Sequence, residues 1–403
     1  MSEIVPLSLI AISIVIIIGF LSSYQFNRTG FPGILFLIFL GFLFGPVFNI
    51  IKVEEVAIFA PYLTVLATIL ILFEGGLAMN IRETIRGTPR ALLLTILVFV
   101  FSTIGVAFFM VLIGFDILYG TLLGIMISGN SAAVIIPIVH RIQVSQEAVS
   151  VVTLESTLNN VFNIVSFLAI VGIIEAGTVD LSFVVQGIAA RFSVGAVIGI
   201  IIGVFWLNIL VKIRKETFAY MLTVAILLLS YYLSEYLGGN GALTSLLFGI
   251  ILGNESEFFR ILDSRFDDVV VDESMIRFQS ELSFLIRTFF FVYIGLTINF
   301  TDFLSVIYGI IISVILIIMR ISATFFATIG STLKNERRII ITVLSRGLSE
   351  AVLSVLLLEY GLLYSVMFQN IAFVVIIVTN ILCTIGIYTL TKKQRYNQQK
   401  VPI

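Results

Sequence analysis

The sequence predicts an all-α integral membrane protein with about thirteen transmembrane helices, on three observations. Hydrophobic residues make up 59% of the 403 residues, charged residues make up 12%, and the mean hydropathy is +1.16. A water-soluble domain could not bury that much apolar surface. Apolar runs of about 20 residues recur along the whole chain, as membrane helices require. Runs such as ISVILIIM (312 to 319) are apolar on every side, which excludes the alternating pattern of a transmembrane β-barrel.

Charged residues and Gly, Pro or Asn breaks separate the apolar runs into spans, numbered here 1 to 13. The predicted spans are 4 to 22, 32 to 49, 58 to 79, 91 to 114, 118 to 139, 146 to 174, 182 to 208, 217 to 236, 240 to 253, 277 to 299, 303 to 328, 338 to 358 and 366 to 390. Span 1 lacks a basic N-terminal region and a cleavage site, so we expect it to be retained. Residues 1–403 are therefore expected to form a single transmembrane domain.

The loop charges indicate how the spans are oriented. If the spans alternate in direction, every Lys and Arg in the loops falls on one side, with the exception of Lys52. An excess of positive charge marks the cytoplasmic side of a membrane protein. The N-terminus is therefore predicted outside and the C-terminus in the cytoplasm. The net charge is −1, and no nucleic-acid partner is expected.

Few residues could serve an enzyme. The single cysteine, Cys383, excludes a disulfide within the chain and a site with several cysteine ligands, and we interpret it as a small buried hydrophobic residue. The single histidine, His140, is predicted at a cytoplasmic helix end, as an interface residue. No paired metal ligands and no Ser/His arrangement fall at mid-membrane. Neither an enzyme activity nor a cofactor is expected.

Three pairs of similar segments indicate an internal repeat. The pairs are FLGFLFGP (39–46) with LLFGIILGN (246–254), FEGGLAMN (73–80) with VYIGLTIN (292–299), and ISGNSAAV (127–134) with LSRGLSEAV (344–352). Within each pair the span numbers differ by seven, and an odd difference means opposite orientation in the membrane. The pattern predicts two inverted repeats of six helices, 4–174 and 217–390, joined by the helix at 182–208. Many secondary transporters are built in this way.

Spans 5 and 12 are predicted to be discontinuous helices. Span 5 contains SGNSAA (128–133), including Asn130 and Ser131, and span 12 contains SRGLSE (345–350). Inverted-repeat transporters place the substrate site at such breaks, where backbone groups are free to bind an ion. The alternative interpretation is a notch of small residues between closely packed helices.

Eight charged residues lie within the spans and more than two residues from either end, and each one near mid-membrane costs on the order of 3 kcal/mol on insertion scales. Four of them are predicted to form a central cluster: Glu155, Arg287, Arg346 and Glu350. The other four lie nearer to helix ends, where snorkelling to the interface is as well supported as function: Glu74, Glu281, Arg191 and Arg320.

Span 6 has the richest polar face, within LESTLNNVFN (154–163). Helical spacing places five side chains on one face: Glu155, Ser156, Asn159, Asn160 and Asn163. The face is interpreted either as an ion-coordinating surface or as a polar ladder that holds neighbouring helices together.

Five motifs together resemble the monovalent cation/proton antiporter superfamily, the sodium/proton exchangers, and most closely its archaeal and bacterial electroneutral branch. The motifs are LFEGGL (72–77), AAVIIPIV (132–139), LESTLNN (154–160), RTFFFVYIGL (287–296) and SRGLSEAVL (345–353). The resemblance implies exchange of Na⁺ or K⁺ for H⁺ by alternating access, in the cytoplasmic membrane of a prokaryote. It also implies a homodimer embedded in the lipid bilayer, with spans 5, 6, 12 and 13 in the moving core.

The resemblance also implies roles for particular residues. Six positions are expected to bind or line the ion path: Asn160, Asn159, Glu155, Ser156, Asn130 and Ser131. Asn160, Glu155 and Ser156 would contact the cation transiently. Three residues would compensate charge, namely Arg287, Arg346 and Glu350, with Arg287 or Arg346 pairing with Glu155.

Asn160 departs from the pattern, because the family normally has an aspartate at this position that binds the cation and the proton in turn. An amide offers a carbonyl oxygen but does not titrate. Asn160 has the shape of a protonated aspartate, which leaves three interpretations. The chain was altered to mimic the proton-loaded state, the titration has moved to Glu155 or Glu350, or the chain no longer exchanges ions.

Two other functions stay open at this point. A sodium-coupled symporter of an organic solute would suit a site made of neutral Asn, Ser and Glu oxygens. A membrane scaffold that transports nothing would suit the replacement at Asn160.

Overall fold

The computed structural model describes most of the chain. The described residues are 4–29, 32–52, 56, 58–79, 81, 89–139, 142, 144–177, 181–213, 216–261, 272–298 and 302–399. These residues form helices and connecting turns, with no strand among them. His140 lies outside the described residues, as do Asn80 and Asn299, which end the second pair of similar segments.

The described helices are labelled α1 to α13, with α5 and α12 each in two halves. They are α1 (Ile4–Thr29), α2 (Gly33–Phe42), α3 (Ala60–Ala78), α4 (Pro89–Leu112), α5a (Ile117–Met126), α5b (Ala132–Val139), α6 (Gln146–Ala176), α7 (Leu181–Ile213), α8 (Ala219–Tyr236), α9 (Gly241–Gly253), α10 (Glu273–Thr297), α11 (Phe303–Ala327), α12a (Arg337–Thr342), α12b (Leu348–Glu359) and α13 (Ser365–Gln399). A π-helical turn, Leu43–Val47, extends α2, and the short helix Glu255–Ile261 follows α9.

Nine helices of the described part are long and apolar enough to cross a membrane, and α2, α5a and α9 are shorter apolar helices. Large apolar side chains cover the outside of these helices, such as Ile104, Phe108 and Leu112 on α4. Such a surface suits lipid rather than water. The prediction of an all-α membrane protein is confirmed, while the count of thirteen spans stays a prediction.

Both predicted helix breaks are present. Helix α5a ends at Met126 and α5b begins at Ala132, so residues 127–131 leave the helix. Helix α12a ends at Thr342 and α12b begins at Leu348. Gly347 ends the second break with φ −152° and ψ −134°, an extended conformation that is not helical.

The chain divides into two compact units. The first comprises residues 1–61, 88–167 and 288–403, and it contains both helix breaks. One core cluster of this unit packs α4, α5b and α6 with α11 and α12a, through residues such as Val98, Ile135, Val152 and Ile340. Broken and unbroken helices therefore share one apolar core.

The second unit comprises residues 62–87 and 168–287. Its core joins α3, α7, α8 and α9 through residues such as Phe73, Trp206, Leu227 and Phe248. The indole N–H of Trp206 donates to Thr223 Oγ1 (3.1 Å), so the buried polar atom of this tryptophan is paired.

Glycines form a close helix crossing in each unit. In the first unit, a Cβ on Gly41 (α2) would overlap the Val292 carbonyl oxygen of α10 and approach Gly295 Cα. In the second unit, a Cβ on Gly249 (α9) would overlap the Phe73 carbonyl oxygen of α3 and approach Gly76 Cα. Small residues of this kind allow helix backbones to touch.

The two crossings are equivalent under the predicted repeat, which pairs Gly41 with Gly249 and Gly76 with Gly295. The same backbone contact therefore occurs twice, once in each unit. The inverted repeat itself, with its boundaries 4–174, 182–208 and 217–390, stays a prediction.

Candidate functional site

The two helix breaks of the first unit contact each other. The Ser131 N–H donates to the Ser345 carbonyl oxygen (2.7 Å). A Cβ on Gly347 would overlap the Ser131 hydroxyl, so only glycine allows this approach. The sequence prediction that both breaks belong to one site is therefore consistent with their contact.

Helix α13 satisfies the backbone groups that the α12 break leaves free. Asn380 Nδ2 donates to the Arg346 carbonyl oxygen (2.6 Å), and Asn380 Oδ1 accepts from Ser345 Oγ (2.7 Å). The Arg346 N–H points to Thr379 Oγ1 (3.4 Å). A non-helical segment within a membrane needs such partners, because lipid offers none.

A buried ion pair lies beside the breaks. Glu155 (α6) accepts two hydrogen bonds from Arg320 (α11), Nη1 to Oε1 at 2.8 Å and Nη2 to Oε2 at 3.0 Å, and both side chains are fully buried. Arg320 Nε also donates to the Ile340 carbonyl oxygen of α12a (3.0 Å). The guanidinium thus joins α11, α6 and α12a through bidentate geometry that lysine could not provide.

Asn130 connects this pair to a second arginine. Its amide nitrogen donates to Glu155 Oε1 (2.5 Å), and its amide oxygen accepts from Arg346 Nη1 (2.6 Å). Arg346 Nε donates to the Ile127 carbonyl oxygen (2.7 Å) at the start of the α5 break. A continuous chain therefore runs from Arg320 through Glu155 and Asn130 to Arg346.

The polar face of α6 lies against the α5 break. Asn159 Nδ2 donates to the Ser128 carbonyl oxygen (3.3 Å). With its amide oxygen accepting from the Gly129 N–H (2.6 Å), Asn163 donates to Ser128 Oγ (2.8 Å) and to the Asn159 carbonyl oxygen (3.1 Å).

Asn160 Oδ1 is buried and has no hydrogen-bond partner within the described structure. Ser156 is buried too, but its hydroxyl donates to its own helix, at the Thr153 carbonyl (2.9 Å).

Glu350 lies in the first turn of α12b and is fully buried. Its Oε2 accepts from the Gly347 N–H (2.7 Å), as an acidic residue does at a helix N-terminus. Its Oε1 has no hydrogen-bond partner among the residues described. A Cβ on Gly129 would overlap both this oxygen and the Asn163 amide, so these two groups lie where a side chain at position 129 would be.

The predicted pairing of Glu155 with Arg287 or Arg346 is wrong. Both carboxylate oxygens are held by Arg320, and Arg346 reaches Glu155 only through Asn130. Arg287 belongs to the second unit, where its Nη2 lies 3.4 Å from Glu74 Oε2 on α3. The central cluster consists of Glu155, Arg346 and Glu350, as expected, together with Arg320.

For Arg320, the sequence leaves snorkelling and function open, and the structure decides against snorkelling because the side chain is fully buried. A signal was present in the sequence. Ser313, Arg320 and Thr324 follow i, i+7, i+11 spacing, so small polar residues share the arginine's face, and all three are fully buried. A lipid-facing arginine would have apolar neighbours there. Arg191 and Glu281, by contrast, are exposed, in keeping with the predicted interface positions.

The fold is similar to that of known proteins. Two solved structures of the sodium proton antiporter MjNhaP1 from Methanocaldococcus jannaschii are similar to the chain. The structure at pH 8 has a TM-score of 0.76 and 22% identity, over 95% of this chain and 99% of that one. The electron-microscopy structure has a TM-score of 0.71 and 21% identity, over 98% and 99%.

Sequence comparison points the same way. The Probable Na(+)/H(+) antiporter 2 of Methanocaldococcus jannaschii is 24% identical over 286 residues, which are 68% of this chain and 65% of that protein. The match therefore spans slightly less than two thirds of the relative's length. The family described as "Sodium/hydrogen exchanger, transmembrane" matches residues 11–393. Because this match covers nearly the whole sequence, the chain belongs to the sodium/hydrogen exchanger family, whose members are multi-pass membrane transporters rather than enzymes.

Proposed function

We propose that the chain exchanges a monovalent cation, Na⁺ or K⁺, for H⁺ by alternating access, at the place where the α5 and α12 breaks meet α6. The observation that carries this proposal is that two buried oxygens, one on α6 and one at the start of α12b, have no hydrogen-bond partner within the described residues. Asn160 Oδ1 and Glu350 Oε1 are both buried and unpaired in the described structure. Unpaired buried oxygens are costly unless they serve a ligand, and a dehydrated alkali cation is a suitable one.

The charges of the site suit one-for-one exchange. Two carboxylates, Glu155 and Glu350, face two guanidiniums, those of Arg320 and Arg346, within the first unit. The group is neutral when both carboxylates are ionised. Adding one proton or one monovalent cation raises the charge by the same amount. Exchange of one for the other would therefore leave the buried charge unchanged and avoid a further electrostatic cost.

Alternating access requires part of the molecule to move around the ion. We propose that α5, α6, α12 and α13, which the hydrogen bonds above connect, move as one body against a dimerising scaffold. The proposed membrane is the prokaryotic cytoplasmic membrane, with the N-terminus outside and the C-terminus inside, in keeping with the loop charges.

The test is transport by the full chain in proteoliposomes. We expect an inward or outward gradient of Na⁺ or K⁺ to drive proton flux, measured with an internal pH dye against protein-free liposomes. Asn160→Asp would add a titrating group at the unpaired amide oxygen, so we expect it to retain exchange but to shift its pH dependence.

Several outcomes would contradict the proposal. Absence of flux in both proteins at every pH from about 6 to about 9, the range in which a tuned carboxylate could titrate, would overturn cation/proton exchange. Sodium-driven uptake of an organic solute without proton movement would instead identify a symporter. Failure of Na⁺, K⁺ and Li⁺ to raise the thermal stability of either protein would favour a scaffold.

A further inference from the structure

We propose that Glu350, on α12b, is the carboxylate that holds the proton and the cation in turn, at its close contact with Gly129 of the α5 break. This inference rests on the proposed exchange activity and identifies the titrating group of that same site. It assigns to α12 a role that the family resemblance implies for position 160 of α6, where this chain has an amide.

Two buried carboxylates are candidates in the described part of the chain, Glu155 and Glu350. Both carboxylate oxygens of Glu155 accept hydrogen bonds. Its Oε1 accepts from Arg320 Nη1 and from Asn130 Nδ2, and its Oε2 accepts from Arg320 Nη2. A carboxylate with three such donors has a partner on each of its oxygens, so it presents no unpaired oxygen to a ligand.

In Glu350, one carboxylate oxygen accepts a hydrogen bond from a described residue and the other does not. The Gly347 N–H holds Oε2 at 2.7 Å, which fixes the carboxyl group in place. The other oxygen, Oε1, is fully enclosed and accepts no hydrogen bond from any described residue. An enclosed oxygen without a donor carries a proton readily or binds a cation, because either ligand replaces the missing partner.

The surroundings of this oxygen supply further ligands. Gly129, in the α5 break, faces Glu350 Oε1 and the Asn163 amide, and a Cβ there would overlap both. The Asn163 amide oxygen is oriented towards Gly129, since it accepts from the Gly129 N–H (2.6 Å). One turn earlier on α6, Asn160 presents its own unpaired oxygen. Two helices, α6 and α12b, thus contribute oxygens, and those of Glu350 and Asn163 lie directly against Gly129 of the α5 break, a residue without a side chain.

The elements packed around Glu350 contribute both charged and uncharged polar groups. Arg346 is the nearest cation, from the α12 break, and attracts the ionised form. Glu155 on α6 and Arg320 on α11 form a neutral pair. The α5 break and the adjacent part of α13 contribute Asn130, Thr379 and Asn380, which do not titrate. Proton loss from Glu350 can therefore be balanced by an entering cation.

The exchange step conserves both atoms and charge. The O–H bond of the Glu350 carboxylic acid breaks, the proton leaves to water, and the cation binds the resulting carboxylate. The reverse step restores the acid and releases the cation. No electron transfer and no further reactant is needed.

The test is proton release by the full chain in detergent, measured with a pH indicator when NaCl or KCl is added at constant ionic strength. We expect about one proton for each chain, because the cation competes with a single bound proton. Glu350→Gln should reduce this release by about tenfold or more, because an amide does not titrate. Glu350→Asp keeps a carboxylate and should retain release with a shifted pH dependence.

A second pair of variants tests the close contact of Glu350 with Gly129 rather than the charge of Glu350. Gly129→Ala places a methyl group where Glu350 Oε1 and the Asn163 amide now lie, so we expect it to displace them and reduce the release although Glu350 itself is unchanged. Gly75→Ala, on α3, is the matched control, because a Cβ there meets nothing within 4 Å. It should release protons as the unchanged chain does. The thermal unfolding temperature of each variant shows whether it is folded.

Each outcome separates this inference from the proposed function. Equal proton release from Glu350→Gln and the unchanged chain, or no release from the unchanged chain, would overturn the assignment of Glu350. Exchange in proteoliposomes that survives Glu350→Gln would overturn it as well, while leaving antiport in place. Release that depends on Glu350, without any flux in proteoliposomes, would support the assignment and overturn the transport proposal. If Glu350→Gln does not fold, equal release from Gly129→Ala and Gly75→Ala decides against the inference.

Discussion

Replacing Arg320 with methionine is expected to destabilise the protein by about 3–5 kcal/mol, the cost of leaving one partner of a buried ion pair uncompensated. The loss has two parts. Glu155 would remain buried without the bidentate guanidinium, and the Ile340 carbonyl would lose its donor. Methionine keeps an unbranched side chain of similar length, so little of the effect would come from an empty volume. The measurement is thermal unfolding in detergent.

A matched control lies in the other unit. Arg191 is 59% exposed and sits 3.8 Å from Glu175 Oε2, so Arg191→Met should change the stability by no more than about 1 kcal/mol. The double variant Glu155→Gln with Arg320→Met removes both buried charges, and it should be more stable than Arg320→Met alone. Equal unfolding temperatures for Arg320→Met and Arg191→Met would show that the pair contributes little.

Replacing Gly76 with alanine is expected to destabilise the protein by about 1–3 kcal/mol, as overpacking of a close contact does. The new Cβ would overlap the Leu246 carbonyl oxygen of α9 and approach Ile250 N, and neither backbone can move without separating α3 from α9. Because Phe73 and Phe248 pack beside this crossing, with ring centroids 5.8 Å apart, the separation would also loosen the core of that unit.

The neighbouring glycine provides the control for this second prediction. A Cβ on Gly75 meets nothing within 4 Å, so Gly75→Ala should be neutral or stabilise the helix by up to about 1 kcal/mol. Both variants add one methyl group to adjacent positions of α3, and they differ in whether that group meets α9. Unfolding temperatures that change equally, in the same direction, would contradict the role of the α3–α9 crossing.

Much of the fold was predictable because its signals are local. Runs of apolar residues specify membrane helices wherever they occur, and SGNSAA (128–133) and SRGLSE (345–350) interrupt such runs with residues that do not favour a helix. The polar face of α6 followed from the 3.6-residue period, which placed Glu155, Asn159 and Asn163 together. All three are fully buried in the structure.

The ion-pair network was less predictable. Arg320 and Glu155 are 165 positions apart, and their contact depends on how α11 packs against α6. Distance from the end of a span suggested an interfacial position for Arg320, but depth along a helix does not show which way a side chain faces. Arg287 illustrates the opposite error. Its deep position in span 10 led to its inclusion in the predicted central cluster, but its ion pair is with Glu74.

By itself, the sequence determined the environment, the helical architecture, the two breaks and the set of polar residues available to a site, because composition and periodicity are properties of neighbouring residues. Only the tertiary structure decided which of those residues are satisfied. Both oxygens of Glu155 accept hydrogen bonds, whereas one buried oxygen of Glu350 has no partner among the described residues. No spacing in the sequence distinguishes the two carboxylates. The physical reason is that a hydrogen bond requires atoms about 3 Å apart, and helices distant in the sequence meet only after the chain has folded.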